Sequence, residues 1–219
     1  MNNLCKHLHH WANTLRVFGF PFLEVEIPLN GLYILFERGE IGHSGNRIVR
    51  IGTHTGQNQL RSRLNQHFQM ENKDRSIFRK NIGRALLRKD HDEFLTEWEV
   101  DLTSSVARIE RSALMDLARR KEVERTVSNY IRQNCTFSVV PIESKSERLR
   151  LESRIISTVS RCMECRPSND WLGLFSPKEK IRKSGLWLVN ELYKEPLNRI
   201  DLDMLAQLTN RTLSTSEFV

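Results

Sequence analysis

Arg63 and His67 stand four residues apart in the stretch "RIVRIGTHTGQNQLRSRLNQHF", residues 47–68. Helical spacing stacks a cation and an imidazole on one face. Leu60, Leu64 and Phe68 form an apolar stripe beside them, the side a helix buries. A second charged group raises a sharper question. Glu152 shares a helical stripe with Leu149, Ile156 and Val159, where an unpaired carboxylate is expensive. It must meet a cation or hold a metal. Glu147, its nearest rival, falls on another face. Tyr33 lies on a strand whose partner carries Arg50, and a simple hairpin register sets phenol and guanidinium on one sheet surface. Each group also has a plain structural reading: a hydrogen bond for Tyr33, a salt bridge for Glu152. Asn169 either orients a ligand or caps the turn before Trp171.

The elements that must position these groups read as follows. Residues 3–18 carry Leu4, Leu8, Trp11, Leu15 and Phe18 at helical spacing, and Pro21 breaks the pattern. "FLEVEI" alternates like a half-buried strand. "GLYILFER" and "RIVRIG" are two further strands, joined by "GEIGHSGN", whose glycines and Asn46 suit a turn. After the helix that ends near residue 70, "SIFRKNIGRALLRK" predicts another, with Ile77, Ile82, Leu86 and Leu87 inward and Arg79, Lys80, Arg84 and Arg88 outward. "EFLTEWEVDL" reads as a strand, residues 105–133 as a charged helical region and "CTFSVVPI" as a strand. "SKSERLRLESRIISTV" and "KEKIRKSGLWLVNELY" read as amphipathic helices, with a short one near the C-terminus.

With 219 residues and 39% hydrophobic content, the chain can bury a core. No run approaches a membrane span, and "MNNLCKHLHHW" lacks a signal-peptide apolar region, so the expectation is a cytoplasmic protein with no membrane. The net charge of +7 favours polyanions, nucleic acid first. Four cysteines at this length do not form a disulfide framework. "CMEC" has metal-ligand spacing, but zinc needs a second pair, and His7, His9 and His10 are remote in sequence. Free thiols on a helix face are the simpler reading.

"GLY" at 31–33, "RIG" at 50–52, "RLNQH" at 63–67, Glu152 and Asn169, in that order, resemble the GIY-YIG nuclease family over roughly residues 29–173. The resemblance implies an α/β (α+β) fold, a small mostly antiparallel sheet flanked by helices, and a metal-dependent DNA endonuclease that hydrolyses phosphodiester bonds. It assigns catalytic roles to Tyr33, Arg63, His67, Glu152 and Asn169. Arg63 would grip a phosphate oxygen, and Glu152 would hold Mg²⁺ (or Mn²⁺). Tyr33 would take a proton from the attacking water, assisted by His67, while Asn169 would position the metal ligand, phosphate or water. The family's second tyrosine falls at Arg50, which cannot serve as a base. Arg50, His54, Arg79 and Lys80 are therefore expected to bind substrate.

The expected domain plan is an N-terminal helix and lead-in strand (1–28), a GIY-YIG-like domain (29–173) with a helical insertion at about 104–133, and a C-terminal helical extension (174–219). A homodimer stays open. Two other classes compete: a nucleic-acid-binding module that has lost turnover, motivated by Arg50, and a structural domain in which Glu152 and Arg63 neutralise each other.

Overall fold

Three stretches rich in β-branched and aromatic residues form one antiparallel sheet in the order β2-β1-β3: β1 (Gly31–Gly42), β2 (Gly45–Gly52) and β3 (Cys135–Pro141). They belong to a computed structural model that describes residues 2–104, 109 and 116–215. Alternation gives the sheet two apolar faces. Tyr33, Leu35, Val49 and Phe137 pack on one side against α2 (Leu60–Phe68), α3 (Ile77–Lys89) and α5 (Leu117–Asn134). Leu32, Ile34, Phe36 and Ile48 pack on the other against α1 (Asn2–Thr14), α6 (Lys145–Ser160) and α8 (Arg199–Thr215). Two short helices, α4 (Leu95–Trp98) and α7 (Glu179–Ser184), complete eight among the described residues. The fold is α+β, a three-stranded sheet between helical layers.

The β1–β2 register pairs Tyr33 with Gly52 and Leu35 with Arg50, so phenol and guanidinium share a face, as the simple hairpin requires. The turn differs from expectation. Its two central residues are His43 and Ser44, both left-handed at φ 52° and 65°, and Asn46 instead exchanges hydrogen bonds with the Asn13 side chain. The glycines of "GLY" and "RIG" have steric causes. A Cβ on Gly31 would lie 2.2 Å from the Val140 carbonyl oxygen, and one on Gly52 would lie 2.1 Å from the Tyr33 hydroxyl.

"FLEVEI" is not a strand. Residues Glu24–Glu26 form a single 3₁₀ turn, with Leu23 and Val25 exposed. Pro21 and Pro28 bracket too short a segment, and Phe18 takes the outer edge of β3 through paired backbone bonds with Phe137. "EFLTEWEVDL" is not one either: Phe94 and Trp98 bury at helical spacing, and the Trp98 ring fills the space left by Gly83 on α3. The described part of the charged 105–133 region is α5, while residues 105–108 and 110–115 lie outside the described residues.

On α3 the inward and outward assignments change. Ile77 is exposed, whereas Arg79 is fully buried. Arg79 donates to Glu124 Oε2 through Nε (3.2 Å) and Nη2 (2.8 Å), to Ser128 Oγ and to the His67 carbonyl. Because α3 is wedged between the sheet and α5, its buried face is wider than one apolar stripe. Arg84 is likewise buried against Glu99 and Asn81.

The helix expected over "KEKIRKSGLWLVNELY" stops early. Gly185 ends α7 in the left-handed conformation at φ 70°. The chain then follows the outer edge of β2. The Trp187 amide donates to the Val49 carbonyl (2.8 Å), and Arg47 Nη1 donates to the Gly185 carbonyl (2.5 Å). The Trp187 indole donates to Glu37 Oε2 (2.8 Å), which also accepts from Trp171 (2.9 Å). This docking covers an edge strand that would otherwise present unpaired backbone.

Gly52→Ala is expected to lose about 1–3 kcal/mol, the cost of forcing an extra carbon into a packed site. Urea unfolding measures it. Wild-type stability in the variant would mean that the Tyr33 ring is not held over Gly52.

Candidate active site

Tyr33 leaves β1 toward the helical layer and lies over Gly52, where it meets His67 of α2. The phenol oxygen and His67 Nε2 are 2.8 Å apart, and His67 Nδ1 lies 2.7 Å from Ser76 Oγ. Ser76 is itself the N-cap of α3, accepting the Arg79 amide. His67 is fully buried, not perched at a helix edge. Burial holds its pKa well below the ordinary imidazole value, and the charges of Arg50, Arg63 and Arg79 act in the same direction. The ring is neutral. Arg50 Nε donates to the Tyr33 oxygen at 3.2 Å. Because Arg50 Nε already donates to the phenol oxygen, the tautomer that gives the phenol proton an acceptor has Tyr33 O–H donating to Nε2 and Nδ1–H donating to Ser76 Oγ.

Arg50 also donates through Nη1 to the Trp187 carbonyl (2.5 Å), and its guanidinium carbon sits 5.3 Å from the centre of the Phe78 ring. Tyr33 is fully buried. Beside Arg50 opens a cleft of about 430 Å³ whose polar lining is two arginines (Arg50, Arg63), two carboxylates (Glu152, Glu191) and two amides (Asn81, Asn190).

Glu152 reaches this cleft from α6. Its Oε1 accepts the Thr53 amide at 3.0 Å, just past the end of β2. Burial raises its pKa above the ordinary carboxylate range; Arg50, the Thr53 amide and Arg63 pull it back, and Glu191 pushes it further up. Among the described residues no ion pair closes between Glu152 and either arginine: Arg50 is committed to Tyr33 and Trp187, and Arg63 Nη1 to Gln66 (3.0 Å) and the Arg75 carbonyl (3.3 Å). Glu191 is steadied from outside the cleft by Lys194 (2.7 Å) and Ser153 (2.5 Å), which lower its pKa.

Not every expected residue comes here. Asn169 lies on an exposed turn outside the cleft, and the amides at the cleft are Asn81 and Asn190 instead. His54 is buried, with Nε2 accepting the Gly31 amide (3.2 Å) and Nδ1 donating to the Gly56 carbonyl (2.7 Å), so neither nitrogen is open to substrate. Arg79 is consumed by Glu124. Lys80 donates to the Glu99 carbonyl (3.0 Å) away from the cleft lining. Glu147 lies in the first turn of α6, with Ser144 capping it. Asn190 and Glu191 escape sequence reading because "LVNELY" carries a helical pattern; only the left-handed Gly185 hints that the helix stops before them.

Chemically, carboxylate and amide oxygens are the donors a hard divalent cation takes, and a site with few protein ligands leaves room for water and phosphate. Planar guanidinium groups suit phosphate oxygens. The donor set at the cleft fits both. No helix among the described residues is long and apolar enough to cross a membrane. Comparison with curated proteins and with solved structures finds no match for the chain. A family model described as "GIY-YIG domain" matches residues 4–215, nearly the whole chain and both walls of the cleft. This chain belongs to the GIY-YIG family, a family of nucleases.

Proposed function

We propose that the cleft is the active site of a metal-dependent DNA endonuclease that hydrolyses phosphodiester bonds. One observation carries the reading: Glu152 is a largely buried carboxylate that faces two arginines across a cleft without ion-pairing to either. A purely structural role would have closed that pair. Open opposed charges suit a ligand bearing both signs, a phosphate with its cation. The net charge of +7 supports a polyanionic substrate.

Arg63 and Arg50 grip non-bridging phosphate oxygens and neutralise the charge that builds as the phosphorus is attacked. Glu152, anchored at one oxygen by Thr53, holds Mg²⁺ (or Mn²⁺), with Glu191 beside it. When bound, that ion supplies Lewis-acid stabilisation of the phosphate and leaving group. Asn190 and Asn81 orient water or phosphate at the cleft wall. Tyr33 acts from beneath Arg50: its oxygen fixes the guanidinium, and its proton faces the neutral His67 ring, which can accept it. One rival has its own support. Because Arg50 covers a fully buried Tyr33, a nucleic-acid-binding module without turnover would look the same.

Plasmid nicking by the full chain, with Mg²⁺, Mn²⁺ or chelator, separates these readings. Cutting is expected with either ion, none with chelator, and a loss of at least about 10²-fold in Glu152→Ala. Absent cutting with salt-sensitive DNA retention intact would favour the binding module. Tyr33→Phe keeps the ring but removes the hydroxyl, and its cutting rate is expected to fall about 10²–10⁴-fold, with a stability loss of about 1–3 kcal/mol because buried Arg50 Nε and His67 Nε2 lose a partner. Full activity would confine Tyr33 to packing.

Two consequences concern pH. Glu152 must be ionised to hold a cation, so the metal concentration needed for half-maximal cutting should rise as pH falls and protons compete for the carboxylate. In the metal-free protein the folded pKa is raised above the unfolded one. The associated stabilisation is therefore present at low pH and lost as pH rises through the folded value. Glu152→Gln keeps the acceptor for Thr53 and sheds the charge, so in chelator at neutral pH it should melt at or above wild type. A clear drop in melting temperature would argue that Glu152 is a structural ion-pair partner.

A further inference from the structure

On the sheet face opposite Tyr33, five buried sulfur and imidazole side chains converge from three separate parts of the chain. Helix α1 brings Cys5 and His9, the β1–β2 turn brings His43, and the segment after α6 brings Cys162 and Cys165. Cys5 Sγ lies 3.7 Å from Cys165 Sγ, and His43 Nε2 lies 3.3 Å from Cys162 Sγ. Donor atoms of Cys5, His9, His43 and Cys165 all fall within 4.8 Å of one another. With metal–sulfur and metal–nitrogen bonds of about 2.3 and 2.0 Å, a tetrahedral zinc ion sets sulfur–sulfur edges of about 3.8 Å and sulfur–nitrogen edges of about 3.5 Å. The Cys5–Cys165 and His43–Cys162 separations lie close to those edges.

Two details point to a ligand and not to packed thiols. The amides of Glu164 and Cys165 are directed at the Cys162 sulfur, the turn a Cys-x-x-Cys segment makes when its first sulfur is a thiolate. The Glu164 carboxylate lies 3.5 Å from His43 Nδ1, which keeps a proton there and leaves Nε2 as a lone pair toward the sulfurs. His9 stands differently. The Ile48 amide donates to its Nε2 (3.3 Å), so its proton is on Nδ1, 3.0 Å from the Cys5 carbonyl and 3.5 Å from Cys5 Sγ. It is a hydrogen-bond donor to the Cys5 corner.

We propose that Cys5, His43, Cys162 and Cys165 bind one structural zinc ion, with His9 supporting the Cys5 sulfur. The thiols release their protons as they coordinate. The ion ties α1 and the post-α6 segment to the hairpin turn, beyond the C-terminal end of the helix that carries Glu152, and it is independent of any nuclease chemistry.

Metal analysis of the full chain, purified without chelator, tests this directly. About one zinc per chain is expected, falling below about a tenth of that in Cys165→Ser and in Cys162→Ser while His9→Gln retains it. If the serine variants do not fold, cobalt reconstitution of the wild type replaces them: tetrahedral absorption with charge transfer from three thiolates is expected. Thermal melting should fall on zinc removal and recover on zinc return. Wild type free of zinc, an octahedral cobalt spectrum, or a Cys5–Cys165 disulfide by thiol titration would overturn the site. So would zinc retained in Cys162→Ser but lost in His9→Gln.

Discussion

The arrangement depends on how one buried guanidinium is satisfied. Arg50 projects from the edge strand into a space where an unpaired charge would be costly. Its hydrogen bonds go to the Tyr33 phenol and the Trp187 carbonyl, and it lies over the Phe78 ring. The sheet, helix α3 and the segment after Gly185 therefore meet at a single side chain. What remains of its positive field falls on the cleft, where it opposes the burial penalty on Glu152 and helps hold His67 neutral.

Other buried carboxylates brace the same junction. Glu37, raised in pKa by burial, accepts hydrogen bonds from Tyr130, Trp171 and Trp187, so three amphipathic rings are pinned at one end of the sheet. Glu40 pairs with Arg47 across the hairpin and receives the Ser168 hydroxyl and amide. Arg47 in turn reaches the Gly185 carbonyl. Glu37, Glu40 and Arg47 all tie the strands to the segment from Ser168 to Trp187. The cleft needs the C-terminal half for Asn190 and Glu191.

The two faces of the sheet carry different chemistry for a simple reason. Alternation along β1 sends Tyr33 to one side and Ile34 to the other, and a register irregularity at Val49 puts Arg50 with Tyr33 and Ile48 with Ile34. Oxygen and guanidinium groups gather at the cleft, while sulfur and imidazole gather beneath α1. Glu152 reaches the cleft from α6 past the end of β2, and the cysteines lie beyond the other end of that helix, so the hard and soft donors are kept apart along α6.

Local pattern alone determined much of this protein. The apolar stripe of Leu60, Leu64 and Phe68, the hairpin that aligns Tyr33 with Arg50, and a carboxylate at Glu152 on the inner side of its helix all follow from periodicities of two and 3.6. Charged residues beyond those stripes resisted the same reading. Arg79 looks solvent-facing until α5 supplies Glu124, and His54 looks available until Gly31 and Gly56 occupy its nitrogens. Asn190 reaches the cleft because docking along the β2 edge, not helix propensity, sets the course after Gly185, whereas Asn169 sits on an exposed turn. The thiol cluster is the extreme case: Cys5 and Cys165 touch across a sequence separation of 160. Periodicity reports which side of an element is buried. Which partners meet a buried polar group is fixed only when distant elements pack, since its cost depends on who satisfies it.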